Sequence, residues 1–184
     1  MRSGRTVYLV RHATPDLTRT DLVYYLPPGP PLTAVGELEA SELGRFLCRG
    51  GVRWIWTSPL ERAARTAELA AKVCAARVIE DARLTEMHPV ETHDDVCARA
   101  GPVWDIVVDR ADTHGPQALL AHGGVITALL LAVGVAPATL ARVGRRFDSG
   151  NPVPPGGAWE VAGSVGNRSM IARLVFIPGA GRRA

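Results

Sequence analysis

Val7-Tyr8-Leu9-Val10-Arg11-His12-Ala13-Thr14 opens as four apolar residues and then breaks into a cation, an imidazole and a hydroxyl. An apolar run of that length reads as a short buried strand. A charge and a ring nitrogen at its end are costly unless something polar or charged meets them there. In an open α/β sheet, ligands bind at that end of the strands. The arrangement recurs far along the chain, where Ala118-Leu119-Leu120-Ala121 runs into His122-Gly123-Gly124 ahead of the helical-looking Val125–Val133. Two strands that each deliver a histidine at the tip predict one anionic site assembled from both halves of the sequence.

The chain has 184 residues, 47% hydrophobic and 21% charged. That is ordinary for a soluble globule and long enough to bury roughly 70% of the unfolded surface. A single domain over residues 1–184 is the expectation. No apolar run approaches the roughly 20 residues of a membrane span, and Met1-Arg2-Ser3-Gly4-Arg5 leads into a strand without a secretory apolar region. These features predict a cytoplasmic protein with no membrane partner. The net charge of +3 comes from scattered arginines, with Lys72 the only lysine and aromatics at 5%. No basic stripe interleaves with aromatics, so nucleic acid is not an expected partner, and Arg182-Arg183 reads as a solvated tail. Cys48, Cys74 and Cys97 are odd in number and far apart, which excludes a disulfide framework and a Cys-x-x-Cys metal knuckle.

Between the two histidine strands, Pro15–Pro31 is too rich in proline for a helix or central strand and reads as a loop over the pocket, with Tyr24 and Tyr25 lining or covering it. Thr33 is the expected N-cap of a helix through about Leu47, stopped by Gly50-Gly51. Val52–Thr57 reads as a strand, and Ser58-Pro59 as a helix start with Pro59 in the first turn. The alanines at 63, 64, 67, 70 and 71 suit close packing of that helix on a sheet. Val78-Ile79 is a candidate strand, 84–93 irregular, and 94 to about 110 an amphipathic helix. After the second histidine segment, 148–157 is a Pro/Gly loop, and Ala158–Ala162 and Met170–Ile177 are late strands. Alternating strands and helices predict an α/β fold, a three-layer α/β/α sandwich on a mostly parallel central sheet. The late strands' Val and Leu offer a contact for a homodimer, although the sequence leaves the oligomeric state open.

Five pieces now stand in order: Leu9-Val10-Arg11-His12-Ala13-Thr14, Leu32-Thr33-x-x-Gly36-Glu37, Ser58-Pro59-Leu60-x-Arg62-Ala63-x-x-Thr66-Ala67, Leu84-x-Glu86, and Ala121-His122-Gly123-Gly124-Val125. Together they resemble the histidine phosphatase superfamily, with its phosphoglycerate mutase-like fold, across roughly residues 6–131.

The resemblance implies a metal-independent phosphatase that hydrolyses a small phosphorylated metabolite through a phosphohistidine on His12. Arg11 and Arg62 would grip the phosphoryl oxygens, since guanidinium offers bidentate donors in fixed geometry. His122 would add a donor when protonated, Thr14 a hydroxyl, and the helix starting near Gly123 its backbone N–H groups. Glu86 matches the family's proton donor. Relatives usually continue with Gly and Trp-Glu-Gly, whereas this chain has Met87-His88-Pro89-Val90-Glu91, so Glu91 is a rival. The family's substrate-contacting asparagine beyond the Arg-His segment is also missing, with Pro15-Asp16-Leu17-Thr18 in its place. None of the five histidines forms a His-x-x-x-His pair, and the two arginines would supply the positive charge a metal otherwise gives. The expectation is no metal and no cofactor. Two alternatives share the residues: a phosphoglycerate mutase-type transferase, and a non-catalytic member that binds a phosphorylated ligand or protein.

Overall fold

The computed structural model describes residues 4–147, 150–164 and 170–179. The tail arginines and positions 148–149 of the expected Pro/Gly loop lie outside these residues. Chain order is β1 (Gly4–Arg11), α1 (Ala34–Arg49), β2 (Trp54–Thr57), α2 (Glu61–Cys74), β3 (Arg77–Glu80), a 3-10 turn (Ala82–Leu84), α3 (His93–His114), β4 (Gln117–Ala121), α4 (Gly123–Ala132), α5 (Pro137–Gly144), β5 (Ala158–Ser164) and β6 (Met170–Phe176). The six strands form one sheet in the order β3-β2-β4-β1-β5-β6. Neighbours among the first four are parallel, and β5 and β6 run antiparallel to the strands they join.

Alternation along β1 explains the layers. Val7 and Leu9 pack on one face with α3 and α4 residues such as Val103, Val107, Ile126 and Leu129. Tyr8 and Val10 pack on the other with Leu43, Leu47, Ala63, Ala67 and Ala70 of α1 and α2. A strand buried on both sides reads as a continuous apolar run, which is why 7–10 shows no polar alternation. The same holds for Gln117–Ala121, whose five residues are all buried.

Connectivity places the site. β1 and β2 are consecutive in sequence but not adjacent, because β4 lies between them. The carboxyl ends of β1, β4 and β2 therefore sit side by side where the strand order reverses, the position at which such sheets bind ligands.

Several local expectations change. α2 begins at Glu61, not at Pro59, because the Ser58 hydroxyl accepts the Leu60 N–H at 3.2 Å and holds the preceding turn out of the helix. Of its alanines, Ala64 is half-buried while Ala63, Ala67, Ala70 and Ala71 are buried, and the stripe packs on α1 as well as on the sheet. α3 runs on to His114. α5 was not expected from the sequence, although Pro137 at its start is a common helix signal. Among the described residues of the late strands, Ile171 is the one large apolar side chain left exposed, which narrows the apolar surface expected for a dimer. Among the described residues, no helix is long and apolar enough to cross a membrane.

Candidate active site

Backbone hydrogen bonds carry each strand tip past the sheet edge in register. His12 N–H donates to Ala121 O at 3.0 Å, and Ser58 N–H to Leu120 O at 3.3 Å. The His12 and His122 rings consequently face each other with centroids 5.1 Å apart. Arg62, in the first turn of α2, donates its Nε to His12 Nε2 at 3.2 Å. Glu86 enters from the loop after β3, its Oε2 lying 3.7 Å from Arg62 Nη2 and 3.7 Å from His122 Nδ1. Arg11 anchors through Nη1 to Val153 O at 3.1 Å, and its charge acts on His12, Arg62, Glu86 and His122 alike. The five residues expected to carry chemistry thus meet in one place.

The protonation of His12 follows from its partners. Its Nδ1 lies 2.8 Å from the Ala13 carbonyl, which can only accept, so Nδ1 carries the hydrogen. Nε2 then holds a lone pair, which Arg62 Nε and the Tyr24 hydroxyl at 3.4 Å address. Burial, followed by the Arg62 and Arg11 charges, pushes the imidazole well below its ordinary value. The ring is neutral and nucleophilic at neutral pH.

His122 is likewise held neutral, first by burial and then by the cations and His12 around it. Its Nε2 sits 2.8 Å from Ser58 Oγ, and that hydroxyl already accepts the Leu60 N–H, leaving its own proton free to give. With Ser58 donating to Nε2, the ring hydrogen sits on Nδ1, which finds no hydrogen-bond acceptor among the described residues. His122 is therefore a donor as a neutral ring, and the protonation expected from sequence is unnecessary.

Arg62 is fully buried, and its Nη1 and Nη2 also find no hydrogen-bond acceptor among the described residues. Burial lowers its pKa, against the opposing pull of Tyr24 and Glu86. The Tyr24 ring lies 4.0 Å from the guanidinium carbon, so the 15–31 loop does cover the pocket, as its prolines suggested. A Cβ on Gly29, which has φ of 68°, would meet Arg62 Nη1 at 2.8 Å. That glycine lets the loop close down on the arginine.

The two glutamates separate. Glu86 is mostly buried and its carboxyl is pushed up from 4.5, mainly by desolvation, against the lowering effect of the Met87 N–H and nearby arginines. Glu91 instead forms a bidentate pair with Arg99 at 2.7 and 2.9 Å, which brings its pKa down to about 2. Geometry sets Glu86, not Glu91, beside His12.

Thr14 corrects another expectation. Its hydroxyl donates to Glu39 Oε1 at 3.0 Å and its N–H to Glu39 Oε2 at 2.8 Å, so its proton is committed to α1 and not to the pocket. Thr14 and Glu39 together tie the β1 tip to that helix. Gly123 does open α4 at the pocket. His122 is the N-cap and makes no side-chain capping bond, which leaves the first backbone N–H groups uncapped from that side.

Sequence reasoning gave no pocket role to Ser58, Glu39 or Thr66, whose Oγ1 accepts the Ala13 N–H at 3.0 Å and holds the residue next to His12. Ser58 was findable, since it ends β2 as His12 and His122 end their strands. Nothing local marks Glu39. His12, Glu86 and His122 offer ligand atoms within 4.8 Å of one another, a spacing that a metal could use. However, Arg62 donates to the same His12 nitrogen and Arg11 adds a second positive field. The unmet buried donors of Arg62 and His122, in the positive field of Arg11, fit a tetrahedral anion better than a dication.

Residues 7–90 match the histidine phosphatase superfamily (branch 1). A probable phosphoglycerate mutase GpmB of Serratia proteamaculans (strain 568) is 37% identical over 82 residues, covering 45% of this chain and 38% of that protein. The match thus spans about two fifths of that relative's length. The fold is similar to a mycobacterial glucosyl-3-phosphoglycerate phosphatase solved with VO3, with a TM-score of 0.71, 20% identity, and coverage of 94% of this chain and 98% of the other. It is similar also to a phosphoglycerate mutase from Bacillus anthracis str. Sterne, with a TM-score of 0.72, 14% identity, and coverage of 96% and 93%.

Proposed function

The chain belongs to the histidine phosphatase superfamily, and on that premise we propose that it hydrolyses a small phosphomonoester through a phosphohistidine on His12, without a metal. One observation carries the reading. Three buried donor atoms, Arg62 Nη1, Arg62 Nη2 and His122 Nδ1, lack acceptors among the described residues, beside a neutral His12 whose Nε2 lone pair points to Arg62 Nε and the Tyr24 hydroxyl. Buried donors without acceptors are rare in folded proteins and mark a place where a ligand supplies them.

In this reading His12 Nε2 attacks phosphorus while the bond from phosphorus to the leaving oxygen breaks. The protonated Glu86 carboxyl, kept protonated to higher pH by its burial, gives its hydrogen to that oxygen. The phosphorylated ring carries a positive charge, and the Ala13 carbonyl accepting from Nδ1–H stabilises it. Water then attacks phosphorus, Glu86 takes its proton, the phosphorus–nitrogen bond breaks, and neutral His12 returns. Splitting one displacement into two lowers each barrier, and the donors aimed at the phosphoryl oxygens stabilise the charge that develops. His12, Arg62 and His122 have no exposed surface, so substrate enters as Tyr24 and its loop swing away.

The mutase reading is supported by the name of the similar GpmB protein. A mutase must return its phosphoryl group before water reaches it. Purified protein, exhaustively chelated, should release inorganic phosphate from members of a phosphomonoester panel at an undiminished rate. Transfer only to a second substrate hydroxyl, or activity restored by one divalent ion, would overturn the hydrolase proposal.

A further inference from the structure

Arg99 stands on α3, where its charge reaches His122 through space, and it makes five hydrogen bonds to the segment that presents Glu86. Its Nη1 donates to the carbonyls of Arg83 at 2.7 Å and Thr85 at 2.9 Å. Its Nη2 donates to the carbonyl of Glu86 itself at 3.3 Å. Its Nε and Nη2 hold the two carboxylate oxygens of Glu91 at 2.7 and 2.9 Å. Glu91 in turn accepts the His88 N–H at 2.8 Å and returns its own N–H to His88 O at 2.9 Å. One planar guanidinium therefore fixes the backbone before, at and after the proposed proton donor.

The segment from Thr85 to Glu91 contains no helix or strand. The Glu86 carboxylate is held by the Met87 N–H at 2.9 Å and by the Gly124 N–H at the start of α4, while Arg99 holds the backbone that carries it. Exposed ion pairs contribute little. This one is about four-fifths covered on both sides and satisfies three carbonyls besides, an arrangement that needs arginine's rigid fork. A proton donor must come within hydrogen-bond reach of the leaving oxygen, and a 1 Å misplacement can cost roughly 10²-fold.

We infer that the Arg99–Glu91 pair is a positioning clamp that sets the Glu86 carboxyl against the leaving group. The inference rests on the reading of Glu86 given above. The clamp stays closed across the working range, because Arg99 holds Glu91 down to about 2. Glu91, the rival donor in the sequence, thus serves the reaction through its neighbour.

The test uses Arg99→Ala, Arg99→Lys and Glu91→Gln in the full chain, assayed on a nitrophenyl phosphate and an alkyl phosphate. Nitrophenolate leaves without a proton and alkoxide does not. Arg99→Ala and Glu91→Gln should lose about 10- to 100-fold in kcat on the alkyl ester and less than about threefold on the nitrophenyl ester. KM should hold for both. Arg99→Lys should fall between, keeping the charge but not the fork. Should Arg99→Ala fail to fold, Glu91→Gln reads the same split with nearly unchanged shape. Equal losses on both esters, or none on either, would overturn the clamp. Glu86→Gln separates the two levels. If it shows no split, the assignment of Glu86 falls and the clamp with it. A split in Glu86→Gln alone overturns the clamp only.

Discussion

Replacing Arg62 by Met should make the protein more stable and nearly inactive. Methionine keeps most of the unbranched, fully buried stem and removes the guanidinium. That group is fully buried, with both Nη atoms lacking acceptors and its nearest carboxylate oxygen at a long 3.7 Å. A buried donor left unsatisfied costs about 1–3 kcal/mol, more when charged. Against this stand the Glu86 pair, the buried Nε bond to His12 Nε2 at 3.2 Å, worth about 1.5–3 kcal/mol, and the Tyr24 ring at 4.0 Å, a cation–π contact worth about 0.5–2 kcal/mol. Glu86 would lose a cation that lowers its pKa, which shifts its carboxyl further toward the neutral form. Two unsatisfied donors outweigh these losses by a net gain of about 0–2 kcal/mol, and at about 2–4 °C per kcal/mol for a chain of this size the melting point should rise by up to about 8 °C. Turnover should fall at least about 10²-fold, as for loss of a transition-state donor. Calorimetric melts with and without inorganic phosphate give a second reading. Phosphate at 100 times its Kd should stabilise the wild type by about 2.7 kcal/mol and the variant hardly at all. A variant that melts below the wild type, or keeps the full phosphate shift, would refute the reasoning.

Acid should destabilise the fold through its histidines. His12 and His122 are depressed below their ordinary 6.5, so the unfolded chain binds their protons first. Their contribution is intact above about pH 6.5 and is lost as pH falls toward the native values, at up to about 1.4 kcal/mol per pH unit for each. Glu86, raised in the native state, acts in the opposite direction and favours the fold on the acid side. Urea denaturation between pH 7 and 5 should therefore show a slope that His12→Gln reduces by about one proton; an unchanged slope would contradict the neutral assignment. Thr14→Val should cost about 1.5 kcal/mol through the lost Glu39 bond and leave kcat within about threefold, whereas a collapse of kcat would return Thr14 to the phosphate. Gly36→Ala would drive a Cβ into the Thr14 carbonyl oxygen, and the forced backbone shift should cost about 2 kcal/mol in a thermal melt; a neutral result would mean the β1–α1 contact is soft.

The strand tips were legible because burial leaves a plain signature. The apolar runs 7–10 and 118–121 could be nothing but doubly buried strands, and polar side chains directly after them needed a ligand. The Thr33 cap read correctly for a similarly local reason, and the alanine stripe did so in part, Ala64 being half-buried and the rest packing on α1 as well as on the sheet. What the sequence withheld depends on long-range pairing. Nothing near Thr14 announces that Glu39, a helix turn into α1, will take its proton. Nothing near Glu91 announces Arg99, so Glu91 stands in the sequence as a rival to the favoured Glu86, and the structure separates them by pairing one and desolvating the other. The protonation of His122 was misread because it depends on Ser58, 64 positions away in sequence.

Rapid quenching into alkaline denaturant during turnover of a phosphorus-labelled monoester, followed by peptide mass spectrometry, tests the phosphoryl pocket most directly. A single phosphoryl group on Nε2 of His12, absent from His12→Ala, is the expected result. Steady turnover with an unlabelled protein, or a label carried by any other residue, would contradict it.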